Sequence, residues 1–468
     1  MKNLKPVTYH LLLYLLLMAA AARAQTAKDI DAVLKQYLTI QHQRIGFNGV
    51  VLLARDSAII SQQAIGYASH EWSIPNTLDA KFKIASMTKP FTGLLVGLAH
   101  QEGKLSLDDR LEQFFPQLSQ PQWKQISIRQ LLSHTSGVPH WQGFSDYWAT
   151  ASKLSLSTDQ ILEEIFHMEL LFEPGTQSAY SSPAYFLLAS ILEKVYQQDY
   201  ATLIKQKITA KLSLESTGAF DPLRIIPGMT EGYHLLTDDS LIVSPHRDIS
   251  AMKGGGNLYS SAGDMMRWIR SFHADKAWDE ALVEKIFTPL TDKGIEQKNN
   301  DAYGMGWYIR EKKGDQPKAY YSAGGTFGYS SIAVIYPEER TYIVILANVS
   351  FLPMDDVLWK DIEKIAFNKT FELPALFTKS LHLSANELEK FSGRYTAANG
   401  MELQIFLHMD KLYAKAGKNP PFEIYAKNQH EFFAKKMELS FAFQLNEQGQ
   451  VTTLRTKGKG RTDEFRKQ

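Results

Sequence analysis

Residues 82–92 read Phe-Lys-Ile-Ala-Ser-Met-Thr-Lys-Pro-Phe-Thr, which places Ser86 and Lys89 three positions apart, immediately before an apolar run. If that run is a helix, residues three positions apart share one face, so the Lys89 amine lies beside the Ser86 hydroxyl. Serine is a favourable residue at a helix N-terminus, where the free N–H groups favour a developing negative charge. The stretch therefore predicts a helix that begins at a serine and carries an amine one turn further on.

A serine–lysine pair of this spacing can serve as nucleophile and base. A hydroxyl is a weak nucleophile until a neighbouring base removes its proton. An amine has an ordinary pKa of about 10.4, and burial lowers that pKa because desolvation disfavours the charged form. The alternative is a helix cap followed by a solvated lysine. Pro90 also disfavours a helical conformation at Lys89, so the local rule predicts a break at this point.

The same spacing recurs at Ser250 and Lys253, but there glycines occupy residues 254–256. A run of glycines does not continue as a stable helix. We therefore expect no catalytic role for the second pair.

The beginning of the chain resembles an export signal. Lys2 and Lys5 supply positive charge, residues 11–22 are apolar, and Ala22-Arg23-Ala24 fits a small-x-small cleavage site. The apolar run is shorter than the ~20 residues that span a bilayer. We therefore predict a signal peptide over residues 1–24, no integral membrane span after its cleavage, and a periplasmic or extracellular location in a bacterium.

Composition excludes several classes of protein. The chain has no cysteine, which excludes disulfides, a thiol nucleophile and cysteine-ligated metals. Hydrophobic residues make up 44% and charged residues 22%, as in ordinary globular proteins. The formal net charge of +1 does not indicate a nucleic-acid partner. No metal-binding spacing such as His-Glu-x-x-His occurs. We therefore expect no metal and no cofactor.

The order of apolar periods predicts helices and antiparallel strands. Helical periodicity follows Ser86 and also covers residues 29–43, while alternating or continuous apolar runs predict strands. The predicted strands lie at residues 49–54, 58–60, 64–68, 322–336 and 340–348, with a hairpin turn at residues 337–339. The pattern predicts an α/β (α+β) fold whose sheet is not all parallel.

The last part of the chain has a different pattern. Leu403, Ile405 and Leu407 alternate with polar positions, which is typical of a half-buried strand. We predict two folded domains, one over residues 25–375 and a small antiparallel β domain over residues 385–468.

Five further strings accompany the Ser86–Lys89 pair. They are Leu-Leu-Ser-His-Thr-Ser-Gly (131–137), Phe-Glu-Pro-Gly-Thr (172–176), Tyr-Ser-Ser (180–182), Tyr-Gly-Met-Gly-Trp (303–307) and Gly-Gly-Thr-Phe-Gly (324–328). In this order they resemble the class C-like branch of the serine β-lactamase and penicillin-binding protein superfamily, which also holds esterases, DD-peptidases and D-aminopeptidases. The resemblance covers about residues 30–368. It implies an antiparallel sheet flanked by helices, an all-helical subdomain, and a small appended β-barrel-like module.

The resemblance also implies roles for individual residues. Ser86 is the expected acylated nucleophile, Lys89 accepts or holds its proton, and Tyr180 delivers a proton to the leaving group. Tyr180 as a phenolate could equally be the base, and the sequence leaves that choice open. The backbone N–H groups of Ser86 and Gly325 would form the oxyanion hole.

Two positions depart from the family pattern. Ser182 stands where the second motif usually has Asn, and Ser322 stands where the third motif usually has Lys or His. With Gly324, these residues are the expected substrate-binding positions. The change at Ser322 removes a cation that would pair with a substrate carboxylate, which weakens a β-lactamase or carboxypeptidase function. We interpret His134 as a structural loop histidine.

Three functional hypotheses follow. The first is an exported serine hydrolase that acts through an acyl-enzyme on a small ester, amide or peptide substrate. The second is a β-lactamase or DD-carboxypeptidase. The third is a non-catalytic binding or sensor protein on the same scaffold. The sequence does not determine the oligomeric state.

Overall fold

The structure is a computed structural model that describes residues 27–141, 147, 150–237, 240–292, 301–374, 380–417, 421–435, 439–458 and 461–468. The predicted signal peptide lies outside the described residues. The chain divides into two compact units. The larger unit holds the described residues up to Leu38, Asn48–His234 and Leu241–Glu372, and the smaller holds Thr39–Phe47, Leu235–Ser240 and Leu373–Gln468. Residues 375–379 are not described, so the predicted domain limits stay predictions.

The strands up to residue 347 are short except in one sheet. They are β1 Gly49–Arg55, β2 Ala58–Ile65, β3 Tyr67–Ser69, β4 Ile74–Pro75, β5 Lys81–Lys83, β6 Gly218–Ala219, β7 Tyr233–Thr237, β8 Ser240–Val243, β9 Leu258–Ser261, β10 Ala302–Tyr303, β11 Tyr308–Arg310, β12 Ala319–Thr326, β13 Tyr329–Tyr336 and β14 Thr341–Ala347. Within the described residues, the main sheet has seven strands in the order β10-β11-β12-β13-β14-β1-β2. Every neighbouring pair in it is antiparallel.

Helices flank and follow this sheet. They are α1 over residues 27–45, α2 Lys89–Gln101, α3 Leu111–Phe114, α4 Pro121–Lys124, α5 Ile128–Leu132, α6 Thr158–His167, α7 Ser182–Tyr196, α8 Tyr200–Ile204, α9 Ala262–Arg270, α10 Glu280–Ile286 and α11 Trp359–Ala366. Helices α3 to α8 follow one another with no long strand between them, and α7 packs against α2 and α5. This is the helical subdomain that the family resemblance implies.

The central strands are covered on both faces. Strands β13 and β14 are buried at every position, which requires an apolar cover on each side of the sheet. Neighbouring residues of a strand face opposite sides. In β13 the Ser331 hydroxyl donates to the carbonyl of Ile84 on one face, and the Tyr336 hydroxyl donates to Glu363 of α11 on the other. The nucleophile segment and α11 therefore lie on opposite faces.

The predicted strand over residues 322–336 is wrong in one respect, because the structure divides it into β12 and β13. The two strands pair around a tight turn at Phe327 and Gly328, and Thr326 faces Tyr329. Gly328 has a φ of 81°, which glycine adopts without the penalty of a side chain. The turn contains no proline, asparagine or aspartate, and glycines occur both within β12 and in the turn, so the sequence does not mark where one strand ends.

The smaller unit contains the predicted antiparallel β module, which is confirmed. Its strands are β15 Gly393–Ala397, β16 Glu402–His408, β17 Lys411–Ala416, β18 Phe422–Glu423, β19 Tyr425–Ala426, β20 Glu431–Ala434, β21 Leu439–Leu445, β22 Val451–Gly458 and β23 Arg461–Lys467, preceded by α12 Ala385–Glu389. Within the described residues they form one sheet in the order β18-β17-β16-β15-β23-β22-β21-β20-β19. Leu403, Ile405, Phe441 and Phe443 point into its apolar core.

A buried ion pair joins the main sheet to α11. Arg310 of β11 contacts Glu363 with a guanidinium–carboxylate distance of 2.6 Å, and only 10% and 9% of the two side chains are exposed. Tyr336 donates to the same carboxylate oxygen at 2.8 Å, and Arg310 also donates to the carbonyl of Pro317 at 3.1 Å. Among the described residues, the hydrogen-bond and ion-pair partners of these two charges are each other and neutral groups.

We expect Glu363→Gln to lower the free energy of unfolding by about 3 to 5 kcal/mol, because it leaves the buried guanidinium uncompensated. Glu338→Gln is the matched control, since Glu338 and its partner Lys312 are both about half exposed. That change is expected to cost less than about 1 kcal/mol. Urea titration of both variants measures the difference, and equal losses would contradict the prediction.

Candidate active site

Ser86 lies in a single 3₁₀ turn, Ala85–Thr88, that joins β5 to α2. The predicted start of the helix at Ser86 is wrong, because α2 begins at Lys89 and the residue before it is Thr88. The alternative, an ordinary helix cap at Ser86, does not hold either, since neither helix start has a side-chain cap bond. Ala85 has a φ of 48°, a strained conformation for a residue with a side chain. The turn therefore presents the serine hydroxyl outward and leaves it free of backbone capping bonds.

Pro90 does not break the helix. Lys89 is the first residue of α2 and has helical angles, φ −58° and ψ −41°. Pro90 falls in the first turn, where the missing N–H has no helical partner to lose. The local rule against a helical residue before proline is overridden here, because the Lys89 side chain is held by several hydrogen bonds.

The structure brings Ser86, Lys89 and Tyr180 together from separate segments. The Lys89 Nζ atom is 3.1 Å from the Ser86 Oγ, and the Tyr180 hydroxyl donates to the same oxygen at 2.7 Å. The Lys89 Nζ also lies 4.7 Å from the centroid of the Tyr180 ring. The serine oxygen is thus in direct contact with an amine and a phenol.

The Lys89 amine is buried without a carboxylate partner among the described residues. Its other hydrogen bonds go to the Ser182 hydroxyl at 3.0 Å and the Gly255 carbonyl at 2.8 Å. Desolvation holds the pKa of Lys89 well below its usual range. A carbonyl oxygen can only accept, so one amine N–H is committed to Gly255. In the neutral form, a second N–H serves Ser182 and the lone pair is available to the Ser86 hydroxyl.

The Tyr180 phenol is held in its neutral form. Burial raises the pKa of Tyr180 to about 12, and the hydrogen bonds to Ser86 and Ser182 lower it by less. A neutral phenol donates a proton to the serine oxygen, in agreement with the 2.7 Å contact. The pKa values of the two groups beside Ser86 are therefore shifted so that the amine can accept a proton and the phenol can donate one.

His134 supports the segment that carries Tyr180. Its carbonyl accepts from the N–H of Ala179 at 2.9 Å, and its Nδ1 accepts from the N–H of Ser181 at 3.2 Å. The imidazole packs against the Tyr180 ring at 4.6 Å between centroids. Burial and the nearby Lys89 hold the pKa of His134 well below its usual value. His134 is thus the structural histidine that the sequence predicts, in direct contact with the site.

The backbone of β12 runs past the nucleophile. A side chain at Gly324 would place its Cβ 2.2 Å from the Ile84 carbonyl and 3.0 Å from the Ser86 nitrogen, so only glycine permits this approach. Strand β11 pairs with β12 only as far as Tyr321, which leaves the following residues without a partner on that edge. β12 therefore approaches the Ser86 backbone at Gly324, the residue next to Gly325. The oxyanion hole predicted from the amides of Ser86 and Gly325 stays a prediction.

A cavity of about 1120 Å³ opens over Ser86. Its described lining includes the catalytic candidates Ser86 and Tyr180, the strand residues Ala323, Gly324 and Gly325, the imidazoles His140 and His167, the acidic residues Glu169, Asp355 and Asp356, and the apolar residues Leu171 and Phe351. No lysine or arginine is among the described lining residues. The cavity is large enough for a small ester, amide or peptide.

Two predicted substrate contacts lie elsewhere. Ser182 begins α7 and turns its hydroxyl to Lys89, since the preceding Ser181 caps the helix by accepting from the N–H of Ala184. Ser322 is buried, with 3% of its surface exposed. Neither is among the described lining residues of the cavity, so both differ from the predicted position, whereas Gly324 does line it.

His140 is a site residue that sequence reasoning missed. It lines the cavity, and its Nδ1 accepts from the N–H of Ser182 at 3.2 Å. Burial and the nearby Lys89 lower the pKa of His140 to about 4. Its position three residues after Gly137, which ends the Leu-Leu-Ser-His-Thr-Ser-Gly string, was the available signal.

The second serine–lysine pair has no such arrangement. Lys253 forms an ion pair with Glu193 at 2.6 Å and donates to the Thr158 hydroxyl at 2.9 Å. The Ser250 hydroxyl accepts from the N–H of Leu156. The pair therefore stabilises helix packing, in line with the expectation from its glycines.

In the part of the chain that the structure describes, no group of three or more His, Asp or Glu side chains is placed to hold a metal ion. None of the described helices is long and apolar enough to cross a bilayer.

Known proteins share this arrangement of segments. Residues 9–366 match the Beta-lactamase family, and residues 381–467 match a domain of unknown function, DUF3471. Penicillin-binding protein 4* of Bacillus subtilis (strain 168) is 24% identical over 419 residues, which are 86% of this chain and 91% of the relative.

Two solved structures have the same fold. The octameric penicillin-binding protein homologue from Pyrococcus abyssi has a TM-score of 0.66 and 21% identity, over 93% of this chain and 99% of that chain. EstCE1, a hydrolase with promiscuous acyltransferase activity, has a TM-score of 0.63 and 21% identity, over 74% of this chain and 100% of that chain. Since the family match spans most of its length, the chain belongs to the Beta-lactamase family and is a serine hydrolase.

Proposed function

We propose that the protein is an exported hydrolase that cleaves a small ester, amide or peptide through an acyl-enzyme on Ser86. The observation that carries this proposal is the pair of contacts at the serine oxygen, 3.1 Å from the Lys89 amine and 2.7 Å from the Tyr180 hydroxyl. These distances are within hydrogen-bond reach, as a nucleophile and its base require.

In the proposed reaction, Lys89 is the base. The Ser86 oxygen attacks the substrate carbonyl carbon while its proton passes to the neutral amine, and the carbonyl oxygen takes up negative charge. That charge faces the N–H groups of Ser86 and Gly325. As the bond to the leaving group breaks, the proton moves from Lys89 to the leaving atom, directly or through Tyr180. Water then repeats the sequence on the acyl-enzyme and releases the acid.

The assignment of Lys89 over Tyr180 as base rests on their opposite pKa shifts. Burial lowers the pKa of the amine and raises that of the phenol to about 12. A base must be available without its proton near the working pH. The buried amine meets this requirement more closely than the buried phenol does.

The substrate we propose has no obligatory carboxylate. Ser322 is neutral, and no lysine or arginine occurs among the described residues that line the cavity. A β-lactam or a peptide C-terminus carries a carboxylate that a cation normally pairs with. A β-lactamase or DD-carboxypeptidase remains the second candidate, because the relative from Bacillus subtilis is a penicillin-binding protein by name. Faster turnover of a cephalosporin than of simple esters would favour it.

Export is part of this proposal. It rests on Lys2, Lys5 and the apolar residues 11–22. Fractionation of a bacterium that expresses the full chain, with N-terminal sequencing of the product, tests it. Cleavage near Ala24 supports export, and an intact cytoplasmic product contradicts it.

We expect Ser86→Ala to lower kcat on nitrophenyl esters by up to about a million-fold, because it removes the nucleophile. Ser250→Ala is the matched control, since it alters the other serine–lysine pair away from the cavity. The control should retain wild-type kcat. Equal rates for Ser86→Ala and wild type would exclude Ser86 from the reaction.

We expect kcat/KM to rise with pH as Lys89 loses its proton. Because the pKa of Lys89 is lowered, this rise in kcat/KM should occur below pH 10.5. Ionisation of the Tyr180 phenol should lower kcat/KM only when the pH approaches 12. Tyr180, Tyr185, His134 and His140 face the amine.

Two variants identify the group whose titration produces the rise in kcat/KM. His140→Gln removes the imidazole of the cavity wall and should keep the midpoint of the rise within about one pH unit. Tyr180→Phe should lower the plateau and keep the rise. If Tyr180→Phe abolishes the rise, the phenolate is the base and the assignment to Lys89 is wrong.

We expect Gly324→Ala to lower kcat by about 100-fold or more, because its Cβ collides with the Ile84 carbonyl and displaces the oxyanion donors. Gly263→Ala is the matched control, since the nearest atom to its Cβ is 3.9 Å away. Both variants are compared by esterase assay and thermal unfolding. A kcat for Gly324→Ala within a few-fold of the control would contradict the proposed oxyanion hole.

A further inference from the structure

Two large apolar side chains stand exposed on the wall of the nucleophile's cavity. Phe351 has 87% of its surface exposed and Leu171 has 60%, and both line the cavity that contains Ser86. An exposed apolar side chain gains free energy only when something apolar covers it. A substrate bound over Ser86 could cover these two side chains with its own apolar groups.

Phe351 is held in this position by its neighbours. Its φ is 60°, an outlier for a bulky residue. The preceding Ser350 is buried and accepts from the N–H of Gly328 at 2.9 Å, and the N–H of the following Leu352 donates to the Ser330 hydroxyl at 3.3 Å. The Phe351 ring stacks on His234 at 5.8 Å. Anchors on both sides thus impose a strained conformation that presents the ring to solvent.

The charges of the cavity are all of one sign. Glu169, Asp355 and Asp356 are among its described lining residues, and no lysine or arginine is. Asp356 also contacts Lys360 at 3.2 Å, so its charge is partly compensated. A substrate with a carboxylate near these residues would meet repulsion, and no lysine or arginine among the described lining residues would pair with it.

We propose that the preferred substrates carry an uncharged apolar group beside the scissile carbonyl, and that Phe351 and Leu171 form the surface on which this group packs. This inference rests on the proposed function and adds the substrate class. In this proposal Phe351 and Leu171 bind the apolar group of the substrate, and neither takes part in proton transfer.

The first experiment compares kcat/KM for nitrophenyl acetate and nitrophenyl hexanoate, and for methyl acetate and phenyl acetate. The first pair varies the acyl group and the second varies the leaving group. The expected preference for the larger apolar group is about 10- to 100-fold in at least one pair, corrected for the alkaline hydrolysis rates of the same esters. A corrected ratio near one in both pairs overturns the inference.

The second experiment assigns the preference to the two side chains. Phe351→Ala and Leu171→Ala should each lower the hexanoate-to-acetate or phenyl-to-methyl ratio, by about tenfold for the phenylalanine. Ile225→Ala is the matched control, since Ile225 is 96% exposed and is not among the described lining residues. An equal ratio in wild type, Phe351→Ala and Leu171→Ala overturns the inference.

The third experiment tests the charge. Nitrophenyl succinate has an acyl chain like that of nitrophenyl butyrate, but the chain ends in a carboxylate. We expect its kcat/KM to be lower than that of nitrophenyl butyrate by about tenfold or more. Glu169→Gln combined with Asp356→Asn should narrow this gap, whereas Glu338→Gln should not. Succinate hydrolysed as fast as butyrate overturns the charge argument.

The outcomes separate the inference from the function on which it rests. If Ser86→Ala abolishes hydrolysis of every ester but the ratios are flat, the hydrolase proposal stands and the substrate class is wrong. If the wild-type protein hydrolyses none of the esters, amides or β-lactams, the proposed function itself fails.

Discussion

A lysine amine buried with no counter-ion among the described residues is the constraint on which the active site depends. Lys89 has as partners two hydroxyls and one carbonyl, none of which carries a full negative charge. Desolvation therefore acts unopposed on its pKa. Each partner also fixes a piece of backbone: Ser182 begins α7, Gly255 belongs to the glycine-rich segment, and Ser86 lies in the turn before α2. The same burial that favours the unprotonated amine also orients three separate segments around it.

The second constraint is the close approach of β12 to the Ser86 turn. The neighbouring strand β13 is buried on both faces, so β12 has little freedom to shift, and Gly324 is what lets it lie against the backbone of Ile84. The unpaired edge of β12 beyond Tyr321 then borders the cavity. The sheet thus provides a rigid wall, and the helical segments bring the amine and the phenol to it.

Local patterns predicted much of this arrangement, and the misses have identifiable causes. The antiparallel sheet, the helical segments and the β module could be anticipated from apolar periodicity. The contact of Ser86 with Lys89 could be anticipated from their spacing, and the addition of Tyr180 from the family resemblance. The turn at Gly328 was hidden because glycines occur both within β12 and in the turn, so none of them marks where the strand ends. Pro90 was expected to break α2, but a proline in the first turn of a helix loses no hydrogen bond. Ser182 was expected at the substrate, but a helix cap turns it toward the amine.

The sequence by itself determined which chemistry is available: a hydroxyl, an amine and a phenol, no thiol, and no cation at position 322. These are properties of residue identity and spacing, which a chain carries before it folds. Only the tertiary structure decided the protonation states and the walls of the cavity. Burial sets the pKa shifts of Lys89 and Tyr180, and the anchored neighbours of Phe351 turn its ring outward. Desolvation and side-chain exposure arise from contacts between residues far apart in the chain, so no local pattern contains them.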